Sequence, residues 1–160
     1  MKTRIILMVV ILIGITINLS AQTSFSDGLS KGKSANKMIL VNIYSDNDNW
    51  CKRMDEVYNN DAIKNYVNSN FVYVKLNSSG SEKISYNGKD YTASTLSKYF
   101  GGTGYPTHVI LNPDGSTIKF KYNGDSSGSF SGFLDVSDFE KFLKFFVDGK
   151  YKDSDLGKAF

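Results

Sequence analysis

Two apolar runs of strand length, joined by a stretch with helical spacing, constrain the fold of this chain most. Residues 38–44 and 71–76 are almost continuously apolar, which is typical of strands buried on both faces. Between them, residues 50–57 favour a helix, and Asn60 caps a second helical stretch. Two buried strands joined by helices form a βαβ unit with a right-handed parallel crossover. The pattern therefore predicts an α/β fold.

A short helix precedes this unit and a hairpin insertion follows it. Residues 22–37 are polar with two apolar side chains four positions apart, which indicates a short amphipathic helix. Asn87-Gly88 lies between short β-type segments and predicts a two-residue turn within a small hairpin insertion near residues 78–93. Residues 96–100 then favour a helix that ends at Gly101.

The last third of the chain predicts two more strands and a closing helix. An Asn-Pro-Asp-Gly turn joins the predicted strands 107–111 and 117–122, and a Gly/Ser-rich loop is predicted over 123–132. Ser137 and Glu140 have the spacing of a capping box that opens the final helix. The expected architecture is one domain of three layers, in which helices flank a mixed central sheet.

The N-terminus has the pattern of a secretory signal peptide. Lys2 and Arg4 precede an apolar run over 5–17, and Leu19-Ser20-Ala21 supplies a small-residue cleavage site. A membrane-spanning helix needs ~20 apolar residues, more than this run provides. We therefore expect residues 1–21 to be a signal peptide, and we expect the protein to be periplasmic or secreted.

The composition of the domain that remains, residues 22–160, disfavours several classes of partner. Loss of Lys2 and Arg4 reduces 19 basic residues to 17, against 16 acidic residues. A domain so close to neutral has no overall electrostatic attraction to nucleic acid or to anionic lipid. We expect no nucleic-acid partner, and no membrane association once the signal is cleaved.

The chain has one cysteine, Cys51, and one histidine, His108. A single cysteine forms no intramolecular disulfide, although an oxidising compartment favours paired cysteines. Zinc sites need three or four His, Cys or carboxylate ligands, so these two residues predict no metal centre. No cofactor is expected.

Two separated motifs show a family resemblance. Residues 39–45 resemble the first central strand of the thioredoxin superfamily, which leads closely into a W-C-x-x-C-K motif. Trp50-Cys51-Lys52-Arg53-Met54 resembles the second half of the W-C-x-W-C-K-x-M variant that is common in exported thioredoxin-like proteins. Residues 104–107 (Gly-Tyr-Pro-Thr), followed by an apolar strand and Asn-Pro-Asp-Gly, resemble the cis-proline segment and hairpin of that family. The resemblance covers residues 24 to 150 and implies a thioredoxin-like fold.

The strand-to-motif spacing places Asp48 at the first cysteine of the C-x-x-C motif and Cys51 at the second, or resolving, position. Another register makes Cys51 the first cysteine and Met54 the lost second one, but it shifts the strand by three residues. We favour the first register, in which the redox site is degenerate (Asp48-Asn49-Trp50-Cys51).

The resemblance implies roles for these residues. The first cysteine of the family attacks a disulfide as a thiolate stabilised by a helix N-terminus, and the second resolves the mixed disulfide. Asp48 keeps an anion there but offers no sulfur, and it is expected to cap the helix and raise the pKa of Cys51. Cys51 is either an inert buried thiol or a monothiol nucleophile.

The resemblance also implies a peptide-binding groove beside a cis Tyr105–Pro106 bond. Trp50, Tyr105, Pro106 and Thr107 are the candidate substrate-binding residues, and the backbone of Tyr105 is the candidate partner for an extended peptide. His108 follows on the strand and is interpreted as a packed residue, because no Ser or Thr partner suggests hydrolase chemistry.

Three functions remain open from the sequence. The first is a peptide- or protein-binding, or vestigial thiol–disulfide, module whose partner lies in the cis-proline groove; thiol-containing proteins are among the candidate partners. The second is a weak monothiol oxidoreductase or isomerase that uses Cys51. The third is a structural or adhesive exported domain.

Overall fold

The structure, a computed structural model, describes residues 23–160. The predicted signal peptide, residues 1–21, and the expected first residue of the mature chain, Gln22, lie outside this range. Among residues 23–160, no helix is both long enough and apolar enough to cross a membrane.

The described part of the chain alternates helices and strands much as the sequence predicts. The helices are α1 (Phe25–Ala35), α2 (Asn49–Asn59), α3 (Asp61–Asn70), α4 (Ala93–Phe100) and α5 (Val136–Val147). The strands are β1 (Met38–Tyr44), β2 (Phe71–Asn77), β3 (Ile84–Tyr86), β4 (Lys89–Tyr91), β5 (Thr107–Leu111), β6 (Phe120–Tyr122), β7 (Asp125–Ser127) and β8 (Phe130–Ser131).

The central sheet has the strand order β2-β1-β5-β8. β1 and β2 run parallel, with Met38 opposite Phe71. β5 runs antiparallel on the other side of β1, where Ile43 lies opposite Thr107. The predicted mixed sheet is therefore confirmed, and the carboxyl end of β1 lies beside the start of β5.

Helices cover both faces of the sheet because the side chains of β1 alternate between two apolar clusters. Leu40 packs into a cluster with α2, α3 and α5, whereas Ile39, Val41 and Ile43 pack into a cluster with α1 and α4. All four side chains are fully buried. This confirms the three-layer architecture and fixes β1 from both sides.

Two hairpins have the same Asn-Gly turn. Asn87 and Gly88 have positive φ angles of 50° and 74° and join β3 to β4, as predicted. Asn123 and Gly124, with φ angles of 51° and 91°, join β6 to β7 inside the segment predicted as a loop. The carboxylate of Asp155 accepts hydrogen bonds from both backbone N–H groups of the second turn, at 2.9 and 2.7 Å.

This second hairpin changes the sheet edge. The predicted pairing of 117–122 with β5 is limited to its first residues, where the Ile118 N–H donates to the Ile110 carbonyl at 3.0 Å. β6 then turns away to pair with β7, and β8 takes the edge position beside β5. The predicted loop 123–132 is therefore wrong, because the Asn123-Gly124 turn favours a hairpin as strongly as Asn87-Gly88 does.

The predicted capping box at Ser137 is also wrong. α5 begins at Val136, and its N-cap is Asp135, whose Oδ1 accepts a hydrogen bond from the Asp138 N–H at 2.9 Å. Asp is at least as good an N-cap as Ser, so the helix begins at the earlier of the two capping residues.

Two glycines let α1 lie close against the sheet. A β-carbon at Gly28 would overlap Cγ2 of Val74, and one at Gly32 would lie 2.5 Å from Cγ1 of Ile39. Neither glycine has a positive φ, so backbone conformation does not require glycine at these positions. Alanine is a better helix former, but its β-carbon would clash with the sheet, so close packing explains the glycines.

We expect Gly28→Ala to lower the free energy of unfolding by about 1–2 kcal/mol, because overpacking against Val74 outweighs the gain in helix propensity. The matched control Ser30→Ala, at an exposed position of the same helix, should leave stability unchanged or raise it slightly. Denaturant unfolding measures both variants. A Gly28→Ala protein as stable as the wild type would contradict the close approach of α1.

Candidate functional site

The candidate site lies where β1 ends and α2 begins. Asp48 has extended backbone angles (φ −98°, ψ 124°) and directly precedes Asn49, the first helical residue. Its Oδ1 accepts a hydrogen bond from the backbone N–H of Cys51 at 2.9 Å. This N-cap places a carboxylate at the positive end of the helix dipole, so the helix N-terminus carries oxygen and no sulfur.

The side chain of Cys51 is enclosed by the fold, with 3% of its surface exposed. The pKa of its thiol is raised to about 11: burial is the largest cause, the Ser45 backbone N–H lowers the pKa, and the charge of Asp48 adds to the increase. The Ser45 N–H donates to Sγ at 3.4 Å. At neutral pH Cys51 is therefore a protonated, buried thiol, whereas disulfide exchange requires a thiolate.

Trp50, Arg53 and Phe133 form a stack on the surface beside this turn. The Trp50 ring is 51% exposed and lies 5.5 Å from the Phe133 ring. The Arg53 guanidinium carbon is 4.8 Å from the Trp50 ring centroid and 4.7 Å from that of Phe133. The stack therefore combines two aromatic surfaces with one positive charge.

The Pro106 segment joins this stack to the sheet. The Tyr105–Pro106 peptide bond is cis. The Pro106 carbonyl accepts a hydrogen bond from the Gly132 N–H at 2.8 Å, and Phe133 is the next residue along the chain. The two sequence motifs, far apart in the chain, are thus linked through Phe133, which contacts Trp50 and follows the residue hydrogen-bonded to Pro106.

The predicted groove residues differ in what they expose. Trp50 is exposed, whereas Tyr105 is half-buried and packs against the apolar cluster of α1 and α4. Thr107 is fully buried, and its hydroxyl donates to the Gly104 carbonyl at 2.5 Å. This hydrogen bond shapes the turn from inside, and the substrate-binding role of Thr107 stays a prediction.

His108 is fully buried among aromatic rings, as its interpretation as a packed residue predicts. Its Nδ1 lies 3.1 Å from the Tyr58 hydroxyl, and its Nε2 has no hydrogen-bond partner among the described residues. Burial lowers the pKa of His108 to about 4, although the Gly132 backbone acts in the opposite direction. His108 is therefore neutral at physiological pH.

Sequence reasoning did not identify Arg53 or Phe133 as site residues. The spacing of Trp50 and Arg53 on one helix, three positions apart, is a signal that they share a face. Nothing in the sequence around Phe133 indicates that it meets them. Within residues 23–160, no cluster of three or more His, Cys, Asp or Glu side chains is placed to hold a metal ion.

Comparison with known proteins agrees with this architecture. The family model Thioredox_DsbH, described as a protein of unknown function, DUF255, matches residues 22–139. Three solved structures are similar. A thioredoxin-fold protein from Helicobacter pylori has 22% identity and a TM-score of 0.58, with 79% of this chain and 83% of that chain covered.

A candidate disulphide isomerase from Bacteroides thetaiotaomicron has 22% identity and a TM-score of 0.59, with 80% and 91% covered. A thioredoxin from Thermus thermophilus has 16% identity and a TM-score of 0.55, with 79% and 85% covered. No curated protein is similar enough to match this chain. At these identities the likenesses establish the fold alone, and the predicted thioredoxin fold is confirmed.

We expect the Cys51 thiol of the folded protein to react with iodoacetamide at pH 7.5 about a hundredfold more slowly than the same thiol in denaturant. The raised pKa leaves little thiolate and the fold blocks access. Because the chain has one cysteine, the alkylated mass reports on this site directly. Equal rates in the two states would show that the thiol is accessible and reactive.

His108 should make the protein less stable as the pH falls. Above pH 6.5 the side chain is neutral in both folded and unfolded chains; between 6.5 and about 4 the unfolded chain binds a proton that the folded protein does not. We expect His108→Gln to reduce the loss of stability between pH 7 and 4.5 by roughly 2 kcal/mol. Denaturant unfolding at both pH values tests this, and identical pH profiles would contradict it.

Proposed function

The chain belongs to the Thioredox_DsbH family, and from that premise we propose that it is an exported thioredoxin-fold module that binds an extended peptide or protein segment without exchanging disulfides. Residues 1–21 would direct it to the periplasm or outside the cell. The partner would lie across the surface between Trp50 and the Pro106 segment.

The observation that carries this proposal is the Asp48 N-cap. A thioredoxin-type reaction begins when a thiolate at the helix N-terminus attacks a disulfide and forms a mixed disulfide. Asp48 holds that position with a carboxylate bonded to the Cys51 N–H, and a carboxylate oxygen forms no mixed disulfide. Cys51 is buried within α2, three residues after the N-cap Asp48, which supports the register in which Asp48 replaces the nucleophile.

The Pro106 segment supports peptide binding. Among residues 23–160, nothing hydrogen-bonds with the backbone N–H or carbonyl of Tyr105. Unpaired backbone groups at the end of a sheet strand pair readily with an extended peptide, as in strand-addition complexes. The exposed Trp50 ring offers apolar area, and it contacts Phe133, which follows the residue hydrogen-bonded to Pro106.

A second candidate function is monothiol exchange at Cys51. One observation favours it: the Ser45 N–H donates to Sγ and lowers the pKa of the thiol, which favours the ionised, attacking form. Burial raises the pKa of the thiol by more than this hydrogen bond lowers it, and we therefore rank this function below non-covalent binding.

Trp50 makes the proposal directly testable, because it is the only tryptophan in the chain. A random heptapeptide library is selected on the purified protein, and the most enriched peptide is synthesised and titrated while Trp50 fluorescence is recorded. We expect saturable binding that Cys51→Ser leaves unchanged within about twofold, because the buried thiol does not touch the partner.

A scan of the same peptide with single N-methyl groups tests the backbone pairing. N-methylation at the residue opposite Tyr105 should weaken binding about tenfold or more, while positions that face away tolerate it. Loss of binding in Cys51→Ser, or a complex that only a reducing agent releases, would favour monothiol chemistry and contradict the proposal. Failure of the library to yield any binder would contradict peptide recognition.

A further inference from the structure

The Arg53 guanidinium has no acidic partner in the described part of the chain. None of the ion pairs among residues 23–160 includes it, and no side chain or carbonyl accepts a hydrogen bond from it. Glu56, one turn further along α2, has the spacing of a helical ion pair but does not form one. Arg53 instead lies over the Trp50 and Phe133 rings.

This arrangement holds the Arg53 guanidinium in place but leaves its capacity to hydrogen-bond with a carboxylate unused. Contact with aromatic faces at an exposed site stabilises a cation by only about 0.5–1 kcal/mol. The five N–H donors of a guanidinium match a carboxylate in a planar, bidentate geometry that no aromatic ring provides. The two rings restrict the movement of Arg53, so a carboxylate that binds it would displace water and little else.

The stack borders the surface on which the proposed partner lies. Phe133 follows Gly132, whose N–H is bonded to the Pro106 carbonyl, so the ring belongs to the same segment as the proposed peptide site. In an extended peptide, alternate side chains point to the same side. A peptide paired with the Tyr105 backbone therefore presents every second side chain toward one wall of the groove.

Beyond the stack the charge changes sign. The lining of a cavity of about 550 Å³ includes Arg53 and Phe133 together with two acidic residues, Glu56 and Asp135. Glu56 lies three positions after Arg53 along α2, roughly 4.5 Å further on. An acidic group bound at Arg53 is attracted, whereas a second one placed in the same cavity meets two carboxylates.

We propose that Arg53, held by Trp50 and Phe133, selects partner segments that carry a single Asp or Glu side chain at the position facing the stack. The inference rests on the proposed peptide-binding function and adds the chemistry of the partner to it. An acidic run is disfavoured by Glu56 and Asp135, and a Lys or Arg side chain is repelled at the stack.

The heptapeptide selection supplies the first test. Peptides enriched on the wild-type protein should share one acidic position, and peptides enriched on Arg53→Gln should not. The matched control is Lys52→Gln, which removes the same charge from the neighbouring exposed residue and leaves the aromatic stack intact. Its selected peptides should keep the acidic position.

The second test compares one enriched synthetic peptide with its uncharged counterpart, in which Glu is replaced by Gln or Asp by Asn. On the wild type and on Lys52→Gln, we expect the acidic peptide to bind about tenfold more tightly than its uncharged counterpart. On Arg53→Gln, the two peptides should bind with equal affinity. Arg53→Lys should keep only part of the preference, because an ammonium lacks the bidentate geometry. Calorimetry replaces fluorescence where a variant changes the emission of Trp50.

The outcomes separate this inference from the function it rests on. Peptides that bind with no acidic preference, or a preference that Arg53→Gln retains, would overturn the role of Arg53 and leave peptide binding standing. Equal loss in Lys52→Gln and Arg53→Gln would show general electrostatic attraction, which also overturns the inference. Enrichment of Lys or Arg peptides contradicts it directly, and the absence of any binder contradicts both proposals.

Discussion

The arrangement of this protein depends on β1, which pairs with β2 on one side and β5 on the other and is buried on both faces. Because helices pack on each face, the strand has no freedom to slide or tilt. Its carboxyl end therefore fixes both where α2 begins and where the Pro106 segment lies. The candidate site is a product of that single constraint.

At this end of the sheet, Asp48 places a carboxylate and no sulfur at the N-terminus of α2. The bond from the Cys51 N–H to Asp48 stabilises α2, and the same carboxylate disfavours a thiolate three residues away. Asp48 thus stabilises the helix and adds to the effect of burial, which is the main cause of the raised thiol pKa. The surface beside the site carries an exposed Trp50 ring, against which Arg53 and Phe133 pack. This combination supports the proposed binding function.

The sequence predicted what local or strongly periodic signals determine: the two buried strands, the Asp48 cap, the Asn87-Gly88 turn. It did not predict β8, because Phe130–Ser131 is a strand only through its pairing with β5. The contact of Arg53 with Phe133 was missed for a similar reason, since it arises from tertiary packing between distant segments. The Asn123-Gly124 hairpin is different, because its signal was present and the Gly/Ser-rich surroundings obscured it.

The most direct test of the central claim, that Asp48 stands where a redox nucleophile would stand, is to equilibrate Asp48→Cys in a glutathione redox buffer and measure its mass and its disulfide-reductase activity. The introduced thiol and Cys51 would lie three residues apart at a helix N-terminus, and loss of the cap should cost only about 1 kcal/mol. We predict an internal disulfide and reductase activity that the wild type lacks. A variant that forms no disulfide, alongside a Met54→Cys variant that does form one and gains activity, would contradict the account.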